Sequence, residues 1–192
     1  MLIDHLPPIT TDRFWDHPLK VFLASLLICL IAPIEIPIGA SLPVTCQTLI
    51  ILTLAMILGA NCGAIATGLY LVAGAVGLPV FAQGRSGVEI LFGPTGGFLF
   101  SFIIAAWIVG KMSEGDWGRK WYNIMFAQLT GQAIILTIGF VWLGFFIGFD
   151  GIFEHIYPLM PAVRLKIGIA TLLILGANAL MKVLIRHHHN WD

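Results

Sequence analysis

The sequence predicts an all-α integral membrane protein: a bundle of six transmembrane helices with both termini in the cytoplasm. Three observations carry this expectation. Hydrophobic residues fill 58% of the 192 positions and charged residues only 10%, against roughly 25% charged in soluble domains, and mean hydropathy is +0.94. A chain of that composition cannot cover a water-facing surface. Its apolar residues fall into six blocks that approach the roughly 20 residues a bilayer-spanning helix needs. Lysine and arginine are shared unevenly between the two sides those blocks define.

The blocks make one membrane domain: residues 1–18 as a cytoplasmic N-terminal segment, 19–186 as the six-helix core and 187–192 as a cytoplasmic tail. The opening MLIDHLPPITTDRFWDHPLK holds acids and prolines without an apolar centre, so it does not read as a cleavable signal peptide. The first block, Leu19 to Ile34, ends in the proline-punctuated APIEIPIGASLP. The second, Val44 to Leu58, is joined through Gly59 to the third, Ala60 to Val80. The fourth runs from Gly96 to Val109, and KMSEGDWGRKWYN separates it from the fifth, Ile124 to Ile147. FDGIFEHIYPLMP then leads into the sixth, Ala162 to Ile185. The second and fourth are short enough to be half-spans or re-entrant segments.

Six spans put both ends of the chain on one side, with Arg13, Lys20, Lys111, Arg119, Lys120, Lys182 and Arg186. The other side has Arg85, Arg164 and Lys166. The excess of cations marks the first side as cytoplasmic. Trp15, Trp107, Trp117, Trp121 and Trp191 lie towards that side, where an interfacial aromatic belt is expected. The loops at 33–43, 79–97 and 148–161 fall outside. Small residues spaced by four, Ala60, Ala64 and Gly68, suit close helix packing.

The outer loops hold the polar groups that could carry chemistry. From Gly77 to Gly97, GLPVFAQGRSGVEILFGPTGG breaks the apolar pattern with glycines and two prolines, and Arg85 is its one cation. Irregular backbone beside a membrane must lie outside the hydrocarbon or be buried in protein, which suggests an ordered loop closing over a small anionic ligand. The plainer alternative is a flexible connector whose Arg85 faces solvent or pairs with Glu89. Thr45, Gln47 and Thr48 open the second helix after Pro43; helix capping explains such residues equally well, though Gln47 offers donors and an acceptor in an apolar run. Gln83 joins Arg85 in the loop. Lys166, with Arg164, lies inside the sixth block after Pro161, where a cation either snorkels to the interface or reaches a cavity. Gln128 and Gln132 share a face of the fifth helix and suit interhelical hydrogen bonds or a cavity wall.

Several function classes are excluded or disfavoured. Zero formal net charge gives no basis for a nucleic-acid partner. No G-x-x-x-x-G-K-[ST] is present for ATP and no H-E-x-x-H or Cys/His ligand spacing for a metal. Cys29, Cys46 and Cys62 read as small packing residues. Blocks two to five have no Asp or Glu in their interiors, which argues against a proton relay.

IEIPIGASLPVTCQT, GLYLVAGAVGLPVFAQG and LFGPTGGFL, in this order and spacing, resemble the BioY proteins, the biotin-binding S components of energy-coupling factor (ECF) transporters. The resemblance covers roughly residues 20 to 185. It implies a six-helix protein of the cell membrane that binds biotin from outside, needs no cofactor, and works with a transmembrane coupling protein and two cytoplasmic ATPases. A homo-oligomer is a further arrangement. Phe81, Ile90, Leu91, Phe92 and Tyr70 can supply walls for the ligand, and the candidate substrate-binding set is Thr45, Gln47, Tyr70, Gln83, Arg85 and Lys166. One departure stands out: the family pattern P-G-D-x-x-K becomes Pro161, Ala162, Val163, Arg164, Leu165, Lys166, so the acid is replaced by Val163. The alternatives are an S component for a related small anionic vitamin or biotin precursor, a small integral membrane enzyme, and an accessory subunit without a ligand.

Overall fold

The computed structural model describes residues 16–36, 44–114, 120–149 and 159–188. Arg13, Trp15, Trp117, Arg119 and Trp191, which entered the orientation argument, lie outside the described residues, as do most of the loops at 33–43 and 148–161. The helices are α1 (Asp16–Ile31), α2 (Gln47–Leu58), α3 (Ala60–Ala75), the short α4 (Val88–Phe92), α5 (Gly96–Ser113), α6 (Trp121–Ile147) and α7 (Met160–His188). One feature departs from the all-α expectation. Two-residue strands β1 (Glu35–Ile36) and β2 (Val44–Thr45) pair antiparallel, with Glu35 opposite Thr45 and Ile36 opposite Val44.

Among the described residues, three stretches are long and apolar enough to cross a bilayer: Gly96–Ser113, Trp121–Ile147 and Met160–Leu180. At 18 residues, α5 rises about 27 Å, so the fourth block is a full-length helix. α2, with 12 residues, stays short. α3 stops at Ala75, before the predicted Val80, because Gly77 takes a positive φ of 106° and Pro79 has no N–H to extend the ladder.

The helices pack around α5, which runs against α2, α3 and α6. Glycine makes this approach possible where backbones nearly touch. A Cβ on Gly63 would stand 2.7 Å from Ala55 Cα, and one on Gly110 would stand 2.7 Å from Ala60 Cα. Ala60 of the small-residue stripe is used in this way, whereas Gly68 has open space around it. At the same end of the bundle, Glu114 accepts a hydrogen bond from the Ala60 N–H at 3.2 Å and from Lys111 Nζ at 2.7 Å. The carboxylate thereby satisfies an N–H in the first turn of α3, which has no partner within the helix, and ties it to the end of α5. The lysine hydrogen bond holds its pKa below the ordinary carboxylate value.

Candidate functional site

At the opposite end of α5, one cavity of about 210 Å³ is enclosed by the start of α2, the glycine-rich loop, α5, α6 and the first turns of α7. Thr45, Gln47 and Thr48 enter it from the ladder and the first turn of α2. Capping does not occupy them: the residue before α2 is Cys46, and no side chain makes a cap hydrogen bond there. Gln47 is buried and donates its amide to the Tyr70 hydroxyl at 2.8 Å. Tyr70 itself is fully buried behind Gln47 and does not line the cavity.

The loop is ordered by its own contacts. The Gly87 N–H donates to the Gly74 carbonyl at 2.8 Å and the Phe81 N–H to the Arg85 carbonyl at 3.0 Å. Phe81 is buried against Gly74, where any Cβ would overlap the ring, and meets Tyr70 edge-on with centroids 5.7 Å apart. Gln83 stands at the top of this turn, solvent-exposed at a positive φ of 61°, outside the cavity lining. Arg85 does line the cavity, yet its side chain is exposed and donates Nε to the Ala82 carbonyl at 3.3 Å. It forms no ion pair with Glu89. Where the loop enters α5, Trp142 Nε1 donates to the Gly93 carbonyl at 2.9 Å.

Lys166 reaches in from α7, half-buried, and donates to Thr48 Oγ1 at 3.0 Å. Ala162 and Val163 lie on the same face and share the lining, whereas Arg164 is exposed away from it. The apolar walls include Phe81, Ile90, Phe98, Phe102 and Ile135; Leu91 and Phe92 lie outside the lining. Gln132 contributes a second buried amide, and Gln128 one turn away meets Met56 Sδ at 3.5 Å instead.

The lining therefore combines two cations, two amides and three threonine hydroxyls with aromatic and aliphatic walls, and among the described residues it includes no carboxylate. That set suits a small ligand with an anionic end, an apolar body and a head that both donates and accepts hydrogen bonds. Among the described residues no group of three His, Cys, Asp or Glu could hold a metal ion. Sequence reasoning did not single out Phe98, Phe102, Ile135 or Leu136, because an apolar side chain that lines a cavity has no local signature distinct from one in the core.

Residues 10–183 match the model of the BioY family. The chain is 34% identical to the biotin transporter BioY2 of Lactococcus lactis subsp. cremoris over 169 residues, covering 85% of this chain and 89% of that protein. It is 36% identical to the biotin transporter BioY of Thermotoga maritima over 129 residues, 67% of this chain and 75% of that one. In fold it resembles the crystal structure of an S-component for biotin from an ECF-type ABC transporter. The TM-score is 0.72 at 19% identity, over 89% of this chain and 95% of that one.

Proposed function

This chain belongs to the BioY family, and on that premise we propose that it takes up biotin across the cell membrane as the substrate-binding S component of an ECF-type transporter. It is a substrate-binding subunit rather than an enzyme. The observation that carries the reading is a cavity lined by Lys166 and Arg85 together with two buried amides, Gln47 and Gln132, and by no carboxylate among the described residues. Biotin's carboxylate answers the cations, its ureido head answers groups that both donate and accept, and its thioether ring and chain answer Phe81, Phe98 and Ile135. Thr45 adds a hydroxyl at the mouth, Tyr70 supports Gln47 from behind, and Gln83 stands at the rim of the loop.

The same reading takes α1, α2, α3, α5, α6 and α7 as six spans with both termini cytoplasmic. It rests on the lysine and arginine distribution and on the apolar character of the three shorter helices. Energy then comes from a transmembrane coupling protein and two cytoplasmic ATPases, since the chain has no phosphate-cradling loop of its own.

Radiolabelled biotin binding to the purified protein is the test. Saturable binding, displaced by unlabelled biotin, is expected; absence of binding by folded protein refutes the assignment. Val163 in the lining beside Lys166, where the family pattern has an acid, favours a second reading: a biotin precursor that keeps the carboxylate and aliphatic chain. If such a precursor displaces labelled biotin at lower concentration than biotin itself does, the second reading replaces the first.

A further inference from the structure

Two cavities meet at Leu136 on α6. This side chain lines the main cavity together with Gln132 and Ile135, and it also lines a groove of about 430 Å³ together with Ala133, Thr137 and Phe140. Helical spacing accounts for the double role. Positions 132, 135 and 136 form one stripe, and 133, 136, 137 and 140 form the adjacent stripe at i, i+3, i+4 and i+7. α7 and the residue before it divide in the same way: Leu159 faces the cavity, and Met160 faces the groove. Among the described residues, Leu136 is the one common to both linings.

The two spaces differ in chemistry. The main cavity holds both cations and both amides, whereas among the described residues the groove lining has no ionisable side chain and Thr137 as its one polar residue. Ala133, Thr137 and Val141 are exposed on the groove side. Among the described residues, a ligand anchored in the cavity would therefore meet a largely apolar surface beyond Leu136, with the Thr137 hydroxyl as its one polar group.

We propose that Leu136 is a specificity-determining residue that limits the length of ligand the cavity accepts, by closing it against the groove between α6 and α7. The inference rests on the biotin reading above and assigns the upper limit of the aliphatic chain to one side chain. Truncation to alanine removes three carbon atoms and joins the two spaces. Added ligand methylenes then gain an apolar wall, each worth about fourfold in affinity when buried.

The test compares biotin with a homologue carrying two further methylenes between ring and carboxylate, by equilibrium binding to the full-length detergent-solubilised protein. Wild type should prefer biotin. Leu136→Ala should shift the ratio of dissociation constants roughly tenfold towards the homologue, and Leu136→Val should shift it in the same direction by less. Adding Ala133→Phe, which refills the groove from its exposed side, should reverse the shift. An unchanged ratio in both truncations, with biotin still bound, overturns the proposal, as does a wild type that binds both ligands equally. Failure of wild type to bind biotin at all refutes the biotin reading instead, so the two outcomes are distinguishable.

Discussion

Gln47 lines the cavity and donates its amide across 2.8 Å to the hydroxyl of Tyr70, a residue with no exposed surface. The tyrosine ring is itself fixed by Phe81, edge-on at 5.7 Å. The glycine-rich loop and the first turn of α2 are thus coupled through one buried phenol. Tyr70→Phe keeps the ring contact and removes the acceptor, leaving a buried amide donor unpaired at about 1–3 kcal/mol. Lower thermal stability and weaker biotin binding by roughly tenfold are expected. An unchanged dissociation constant would show that Gln47 is held by its surroundings without Tyr70.

Much of this arrangement was legible in the sequence. The apolar blocks located six of the helices, and Gly59, at φ 84°, marked the tight turn between α2 and α3. VEILF was not legible as a helix, because five residues are too few to show a period. Nor was the ladder of Glu35 with Thr45, since two residues per strand give no alternation. Of the polar candidates, Thr45, Gln47, Arg85 and Lys166 line the cavity and Tyr70 and Gln83 do not; the hydrogen-bond partners of Gln47 and Lys166 were not legible. Gln128 and Gln132 look alike in sequence; only the placement of Met56 beside the first separates a core amide from a cavity amide.

Arg85 is exposed and already hydrogen-bonded to the Ala82 carbonyl. Solvent and salt screen a charge in that position. Arg85→Ala should therefore weaken biotin binding by only about 1 kcal/mol, and the difference should shrink in high salt. A loss of a hundredfold or more, insensitive to salt, would mean that the loop closes further around the ligand than the present geometry shows.

Two glycines should respond oppositely to the same substitution. A Cβ on Gly96 would overlap the Leu91 carbonyl oxygen, and the neighbouring loop is pinned by Trp142 on Gly93. Backbone cannot yield as a flexible side chain can, so Gly96→Ala should destabilise the fold by several kcal/mol, the scale of core overpacking (about 1–3, occasionally more). Gly68, in the middle of α3, has nothing within 4 Å; Gly68→Ala should be neutral or stabilising by up to about 1 kcal/mol through helix propensity. Thermal melting of both variants checks the contrast. Equal losses would place an unseen neighbour against Gly68.

Glu114 should give stability a small acid limb. Lys111 holds its folded-state pKa below the ordinary value, so the unfolded chain binds the proton more readily. The contribution is therefore complete above about pH 4.3, the unperturbed glutamate value, and is lost as pH falls through the lower folded value. With side-chain exposures of 63% for Lys111 and 44% for Glu114, no more than about 1 kcal/mol is expected. Glu114→Gln should lower stability slightly at neutral pH and flatten its decline in acid. A parallel decline in both proteins would remove Glu114 from the acid response.

Lys166 differs from Arg85 in the two respects that decide electrostatic strength. It is half-buried between α2 and α7, and its bond to Thr48 Oγ1 leaves donors of the ammonium for a ligand. Val163, one turn earlier on the same face, supplies no carboxylate to neutralise it. In a site shielded from water an ion pair gains more than at a surface, and no carboxylate among the described residues lines the cavity beside Lys166; the biotin reading therefore pairs this cation with the ligand carboxylate. Lys166→Met keeps most of the side-chain volume and removes the charge. It should weaken biotin binding by about tenfold to a hundredfold, in line with 1.5–3 kcal/mol for a hydrogen bond to a charged group. A biotin amide, which has no carboxylate, should lose less. Equal losses for the two ligands would assign Lys166 to the ureido head or to the seat of Thr48, and no loss for either would leave it without a part in binding.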